Sequence, residues 1–364
     1  MPVYIGVDFH ARQQTICYLT TEDGEIHRGR LEHKGNDIEH RNVREFYSHF
    51  KEEVIVGIEA GGCSEWFERM MSELGIEVWV GNASHIRRLA LRKQKNDKRD
   101  AGHILDLMVS GRFPRLYRRS AGSQEILRQT GYRHKLIKMR TIMNNSLRAI
   151  ARNEGLLLGS KLASKKGREW LESLKVSEAV KQQVGELLQL IEKVTTEVER
   201  VEKWLGEKAA NDPRVQLVQT HPGIGLLTSL VLVHTLEPIE RFANSRKVTA
   251  FVGMDPVEES SGDRRKIGSI SKAGSKLLRF LLVEAGHVAI RKDKELERFY
   301  VRVANRRNKA KAKVAVARKL LVRSYIMLRD NIDAEEFHRR GVEARSSRVA
   351  RKRNKPDAGE LPDA

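Results

Sequence analysis

Two short segments of this chain close on an acid in the same way. Tyr4-Ile5-Gly6-Val7-Asp8 and Ile55-Val56-Gly57-Ile58-Glu59 are apolar runs ending in a carboxylate, with glycine two residues earlier. Side chains alternate along a strand, so Gly6 shares a face with Asp8 and Gly57 with Glu59. A glycine on that face leaves space beside the acid. Open α/β sheets place ligands at the carboxyl ends of their strands, and two acids on neighbouring strands there can share a divalent cation. A third segment, Lys95-Asn96-Asp97-Lys98-Arg99-Asp100-Ala101, opens a helix. Asp97 and Asp100 are three apart and lie on one face, although acids in a first helical turn also serve as simple dipole partners. Asp8, Glu59, Asp97 and Asp100 together make a four-carboxylate site of the oxygen-rich kind that suits Mg²⁺ or Mn²⁺. Two such ions about 3.5–4 Å apart can clamp the attacking and leaving oxygens of a phosphodiester displacement.

A second constellation lies in FVGMDPVEESSGDRRKIGSISKAGSKLLR. Ser260, Ser261, Gly262 and Gly268 make a turn region, surrounded by Arg264, Arg265, Lys266, Lys272 and Lys276. A serine hydroxyl among cations, near a helix start, suits phosphate. Two readings stay open. Either the loop only positions a polyanion, or Ser261 is a nucleophile, which needs a base or a metal to activate it; no histidine lies nearby in sequence. Upstream, His221-Pro222-Gly223-Ile224-Gly225 before an apolar helix reads either as a tight turn or as a hairpin whose backbone N–H groups, at Gly223 and Gly225, touch a nucleic-acid phosphate.

The elements that must position these residues follow from pattern. Residues 1–115 read as α/β, with strands at 3–7, 15–20, 25–32, 54–58 and 76–80 and helices at 37–50, 64–74, 84–92 and 97–109. That order predicts an antiparallel meander followed by parallel crossovers. Residues 116–212 are helical. There Val184, Leu187, Ile191, Val194, Val198, Val201 and Leu205 alternate spacings of three and four, a heptad seam. The seam fits a hairpin within one chain or a coiled-coil contact between copies. Asp212-Pro213 breaks the helix, and a mostly helical unit runs over 213–330. Residues 331–364 read as a basic, disordered tail.

Composition narrows the partners. The 364 residues carry 68 Lys and Arg against 48 Asp and Glu, a net charge of +20, which points to nucleic acid before anionic membrane. A hydrophobic share of 40% excludes global disorder. Two cysteines, Cys17 and Cys63, exclude a disulfide scaffold and a Cys-rich zinc site. No apolar run reaches membrane-spanning length and the first residues are not a signal peptide, so a soluble, reducing-compartment protein is expected.

These motifs resemble the Piv/MooV-type DEDD insertion-sequence transposases, described as bridge-RNA-guided DNA recombinases. YIGVDFH, VGIEAGG, KNDKRDAGHIL, THPGIG and the FVGM…SSGDRRKIGSISKAGSKLLR segment stand in the family's order over roughly residues 1–330. The resemblance implies a RuvC-like ribonuclease H-fold domain, a helical coiled-coil insert and a mostly α-helical C-terminal transposase domain. It implies that Asp8, Glu59, Asp97 and Asp100 bind Mg²⁺ and that Ser261, with Ser260 beside it, attacks DNA and forms a transient covalent link. It also implies donor and target DNA, a noncoding guide RNA and a homodimer or homotetramer as partners, and a bacterial or archaeal cytoplasm as the location. The first unit has His10-Ala11-Arg12-Gln13 where sugar kinases and actin-like ATPases of the same fold carry a glycine-rich phosphate loop. Two departures stand out: Ala60 where relatives often have Thr, and a long basic extension after Arg291. The rival readings are a hydrolytic junction-resolving nuclease, which needs the acids without Ser261, and a non-catalytic nucleic-acid-binding protein.

Overall fold

The computed structural model describes every residue except 1, 21–23, 34, 36, 91–96, 156–164, 174, 259–266 and 354–364. It divides into two units, residues 1–118 and 119–364.

The first unit is built on strands β1 (Val3–Phe9), β2 (Gln13–Leu19), β3 (Ile26–Glu32), β4 (Val54–Glu59) and β5 (Glu77–Gly81), in the order β3-β2-β1-β4-β5. β1–β2 and β2–β3 pair antiparallel, β1–β4 and β4–β5 parallel, so the expected meander and crossovers are present. Helices α1 (Arg41–Ser48), α2 (Glu65–Glu73), α3 (Ala83–Leu89) and α4 (Asp97–Val109) complete it. Alternation sorts β1 and β4 into two faces. Val3, Ile5, Val7, Val56 and Ile58 pack with Val43 and Tyr47 of α1 and Phe67, Met70 and Met71 of α2. On the other face Ile55 packs with Ile104, Leu107 and Met108 of α4, and Ala101 and Leu105 pack with Cys17.

The space expected beside the two acids is taken by α4. A Cβ added at Gly6 would meet Ala101 O and, at 2.5 Å, Leu105 N; at Gly57 it would meet Met108 Sδ. The glycines therefore let the helix settle directly on the strands rather than leave a cavity. That helix is the one that carries Asp97 and Asp100.

The second unit is helical apart from one ribbon. Its elements are α5 (Ala121–Asn153), α6 (Lys165–Glu172), α7 (Glu178–Ala210), α8 (Pro213–Gln219), α9 (Leu226–Leu236), a 3₁₀ turn (Ile239–Arg241), α10 (Ser245–Val252), β6 (Pro256–Glu258), β7 (Ile267–Ile270), α11 (Lys276–Lys292), α12 (Lys294–Arg306), α13 (Lys309–Asp330) and α14 (Ala334–Arg353). α5 and α7 lie antiparallel: Ile126 packs in one cluster with Val201, Leu205 and Ala209, and Leu147 in another with Val184, Leu188 and Ile191. Tyr132 Oη donates to Glu197 (3.2 Å) and Arg133 Nε to Glu202 (2.8 Å) along the seam. The heptad face is thus covered by a helix of the same chain, with Leu187 and Val194 half-buried and Leu188 in their place. The disordered tail expected from residue 331 is corrected as well. α14 runs through most of it, started by Asp333, which accepts from Glu336 N at 2.8 Å, and laced by Glu336 to Arg339 and Arg340.

The two units differ in charge. Residues 1–118 carry 18 Lys and Arg against 18 Asp and Glu, so the whole excess of 20 belongs to residues 119–364.

Candidate active site

Gly6 pairs with Gly57 and Val7 with Ile58 across the parallel β1–β4 ladder, so Asp8 and Glu59 end up level on adjacent strands, at the carboxyl end of the sheet. Neighbouring strands are about 4.8 Å apart. Each acid has a nitrogen-bearing partner. His10 Nε2 lies 3.1 Å from Asp8 Oδ2, and Arg87 Nη2 of α3 donates to Glu59 Oε1 at 2.9 Å. α3 is set for this by Asn82, whose side chain caps it by accepting from His85 N at 3.0 Å. Asp100 sits half-buried in the first turn of α4 without an ion-pair partner among the described residues. The side chain of Asp97 lies outside the described residues, as do Lys95 and Asn96.

The structure therefore brings Asp8 and Glu59 together and lays the helix of Asp100 on their face. Among the described residues, no three His, Cys, Asp or Glu side chains converge as a metal site. The donor chemistry fits a hard divalent cation, since the acids offer only oxygens and Glu59 already draws the Arg87 guanidinium. His10 and Arg87 escaped the sequence reading. Arg87 lies 28 residues from its partner, and only the crossover between β4 and α3 brings them together.

Ser260, Ser261, Arg264, Arg265 and Lys266 lie outside the described residues. Their loop joins β6 to β7, an antiparallel ribbon in which Pro256 faces Ile270 and Glu258 faces Ile267. The root of that ribbon is fixed backbone to backbone. Gly253 (φ 75°) leaves no room for a Cβ against Ala273, nor does Gly274 (φ 67°) against Phe251 O. Arg279 Nη1 donates to Val252 O at 2.9 Å, and Lys272 N donates to Gly253 O at 3.1 Å. Ser275 caps α11 by accepting from Leu278 N. Lys272 and Lys276 are exposed and have no ion-pair partner among the described residues.

In the His221–Gly225 turn the two glycines differ. Gly223 (φ 95°) packs onto α11: a Cβ there would meet Ala285 O and Ala289 N, each at 2.7 Å. Its conformation is explained by helix packing rather than by a phosphate. Gly225 is exposed. His221 is buried, and its Nε2 accepts from Arg323 Nη1 at 3.2 Å while Nδ1 donates to Pro222 O at 2.9 Å. Arg323 in turn donates to Asp293 at 2.5 Å.

A family model described as "Transposase", of the DEDD IS110 type, matches residues 5–153, from β1 to the end of α5. One described as "Transposase IS116/IS110/IS902 family" matches residues 215–301, which hold the glycine turn and the ribbon. The "Transposase for insertion sequence element IS1111A" of Coxiella burnetii is 28% identical over 240 residues, 64% of this chain and 64% of that protein. The "Probable family 20 transposase" of Pseudomonas aeruginosa is 24% identical over 259 residues, 68% of this chain and 75% of that protein. The chain thus spans just under two thirds of the length of the Coxiella relative. A solved structure, T. thermophilus RuvC in complex with Holliday junction substrate, is 13% identical, with a TM-score of 0.24 over 32% of this chain and all of that one. No helix among the described residues is long and apolar enough to cross a membrane. With the paired strand-end acids inside one matched segment and the serine ribbon inside the other, the chain is similar to the IS110-type family of DEDD transposases over both segments.

Proposed function

We propose that this chain is an insertion-sequence transposase that breaks and rejoins DNA strands. The observation that carries the reading is the matched register of β1 and β4, which sets Asp8 level with Glu59 beneath the helix of Asp100. Asp8, Glu59, Asp97 and Asp100 would hold Mg²⁺ or Mn²⁺, which when bound offsets the charge that builds on the phosphate oxygens during displacement. Ser261 is the nucleophile. Its Oγ attacks phosphorus, the bond from phosphorus to the departing strand breaks, and the serine proton ends on that strand's oxygen as a hydroxyl. Rejoining reverses the exchange: a hydroxyl of another strand attacks the serine-linked phosphorus and Ser261 recovers its proton. No water is consumed, so the energy of the broken bond is kept in the covalent link. Arg264, Arg265 and Lys266, with Lys272 and Lys276 at the root, hold the phosphates. The charge partition supports this division of labour: a neutral unit carries the acids, and a strongly basic unit carries the serine and grips the polyanion.

The finer reading takes the first unit as RuvC-like, the α5–α7 hairpin as the family's coiled-coil insert, a noncoding RNA as the guide that pairs with donor and target DNA, and two or four copies as the working assembly in the cytoplasm. The test is a Mg²⁺-dependent strand-transfer assay on the cognate element ends, with the flanking RNA supplied or withheld, resolved on denaturing gels with and without protease. A protease-sensitive adduct that requires RNA and disappears in Ser261→Ala is expected. Cleavage without an adduct, indifferent to Ser261, would make the chain a hydrolytic nuclease instead.

A further inference from the structure

The basic extension after Arg291 is a folded part of the second unit. α12 and α13 form a helical hairpin whose inner side belongs to the core through Leu296, Val316, Ala317 and Leu320. Between Glu297 and Asp330 the chain has no acid. The hairpin sorts its cations by position. Three toward its base are neutralised: Arg318 pairs with Asp255 at 2.8 Å, Lys319 with Glu295 at 2.8 Å and Arg323 with Asp293 at 2.5 Å. Those at its tip, Arg302, Arg306, Arg307, Lys309, Lys311 and Lys313, have no acidic partner among the described residues. All six are exposed except the half-buried Lys313.

Such a cluster opposes folding. Six like charges repel one another, and lysines in the opening turns of α13 stand at the positive end of its dipole, with no acid in its first turn. Local choices that cost stability without a compensating internal contact mark a functional surface. The tip begins at Arg302, just beyond the segment that ends at residue 301 in the family match, so nothing in that match accounts for it.

We propose that the α12–α13 tip is a second nucleic-acid contact, additional to the one proposed for the serine segment, that grips the phosphate backbone of duplex DNA without reading its sequence. Charge complementarity supplies the attraction. The side chains of the tip itself decide for duplex over single strand: single-strand grooves add aromatic rings on which bases stack, and residues 301–313 contain no aromatic. The contact rests on the reading of the chain as a DNA-handling enzyme only for the choice of DNA over duplex RNA.

The test is fluorescence anisotropy of the full chain with a labelled 30-base-pair duplex of arbitrary sequence, without Mg²⁺, from 50 to 300 mM salt. Replacing Arg302, Arg306, Arg307, Lys309 and Lys311 together by Gln should weaken binding at least tenfold at 150 mM. It should also flatten the slope of log K against log salt by about 4 to 5, since each phosphate contact contributes about 0.9. Arg302→Gln, Arg307→Gln and Lys311→Gln singly should each flatten it by about one, which answers the question if the fivefold variant fails to fold. An unchanged slope would overturn the proposal. So would an equal loss on single-stranded DNA of the same length, or a loss confined to duplex RNA. Binding is read without reaction, so a chain that grips duplex through this tip yet never breaks a strand would sink the transposase reading and leave this one standing.

Discussion

Gly6 and Gly57 stand at the same level on adjacent strands and face the same helix, yet they meet different atoms. Gly6 lies under the backbone of Ala101 and Leu105, and Gly57 lies under the side chain of Met108. A methyl at Gly6 can be accommodated only by lifting α4, which carries Asp100; one at Gly57 asks that the flexible Met108 thioether turn aside and that the Ile104 methyl give by a few tenths of an ångström. Gly6→Ala should therefore destabilise the chain by about 1–3 kcal/mol and Gly57→Ala by distinctly less, as read in urea unfolding. Equal costs would mean that Met108 cannot yield. His221 sets a second prediction. Burial pulls its pKa from 6.5 down to about 4, against the bond to Pro222 O and with the field of Arg323 acting in the same direction as burial. The folded value lies below the unfolded one, so the unfolded chain binds the proton first on acidification. The stability tied to a neutral His221 is complete above about pH 6.5, drains as pH falls toward 4, and changes no further below that. Burial lowers His33, His134 and His234 in the same direction, so the single variant is the clean test. The difference in unfolding free energy between wild type and His221→Gln should shrink from pH 6.5 to 4; a difference constant over that window would show that folding does not bias this ring against its proton.

At the scale of elements, α7 owes its place to α5. Leu205 is fully buried between them while Leu190 on the same helix is 49% exposed. Leu205→Ala should cost about 2–5 kcal/mol and Leu190→Ala no more than about 0.5 kcal/mol, at every protein concentration tried. A cost at Leu205 that grows on dilution would mean that a second copy supplies part of the cover. This seam also shows what one sequence can and cannot disclose. Its period of three and four announced a helix with an apolar stripe, but the period is the same whether the partner helix is in the same chain or in another. The strands were legible because alternation is local, and α4 was legible over 97–109 because its first turn and apolar spacing are both local signals. What covers a sheet face is not local: Gly6 and Gly57 read as empty space when they are the floor on which α4 rests. The contacts of Arg87 with Glu59 and His10 with Asp8 were missed for the same reason. They depend on the β4–α3 crossover and on the turn after β1, and no pattern of residue types announces them.

Taken whole, the molecule separates acid chemistry from charge. Residues 1–118 are electrically balanced and carry Asp8, Glu59, Asp97 and Asp100, whereas residues 119–364 hold the entire surplus of 20 positive charges. Duplex binding should then be a property of the second unit, spread over many phosphate contacts, and should fall by about 10³ or more between 50 and 200 mM salt if at least six phosphates are engaged. On the proposed reading, in which the four acids hold metal as a set and fail together, Asp8→Asn should lower strand breakage by at least about a hundredfold. The same substitution should leave duplex affinity within about twofold of wild type in the absence of Mg²⁺, and on the tighter side, since it removes a negative charge that repels phosphate. Anisotropy and a cleavage assay on one protein preparation separate the two effects. If Asp8→Asn instead loses binding and breakage by the same factor, the strand-end acids hold the substrate in place rather than drive its reaction, and the division between a neutral chemical unit and a basic gripping unit fails.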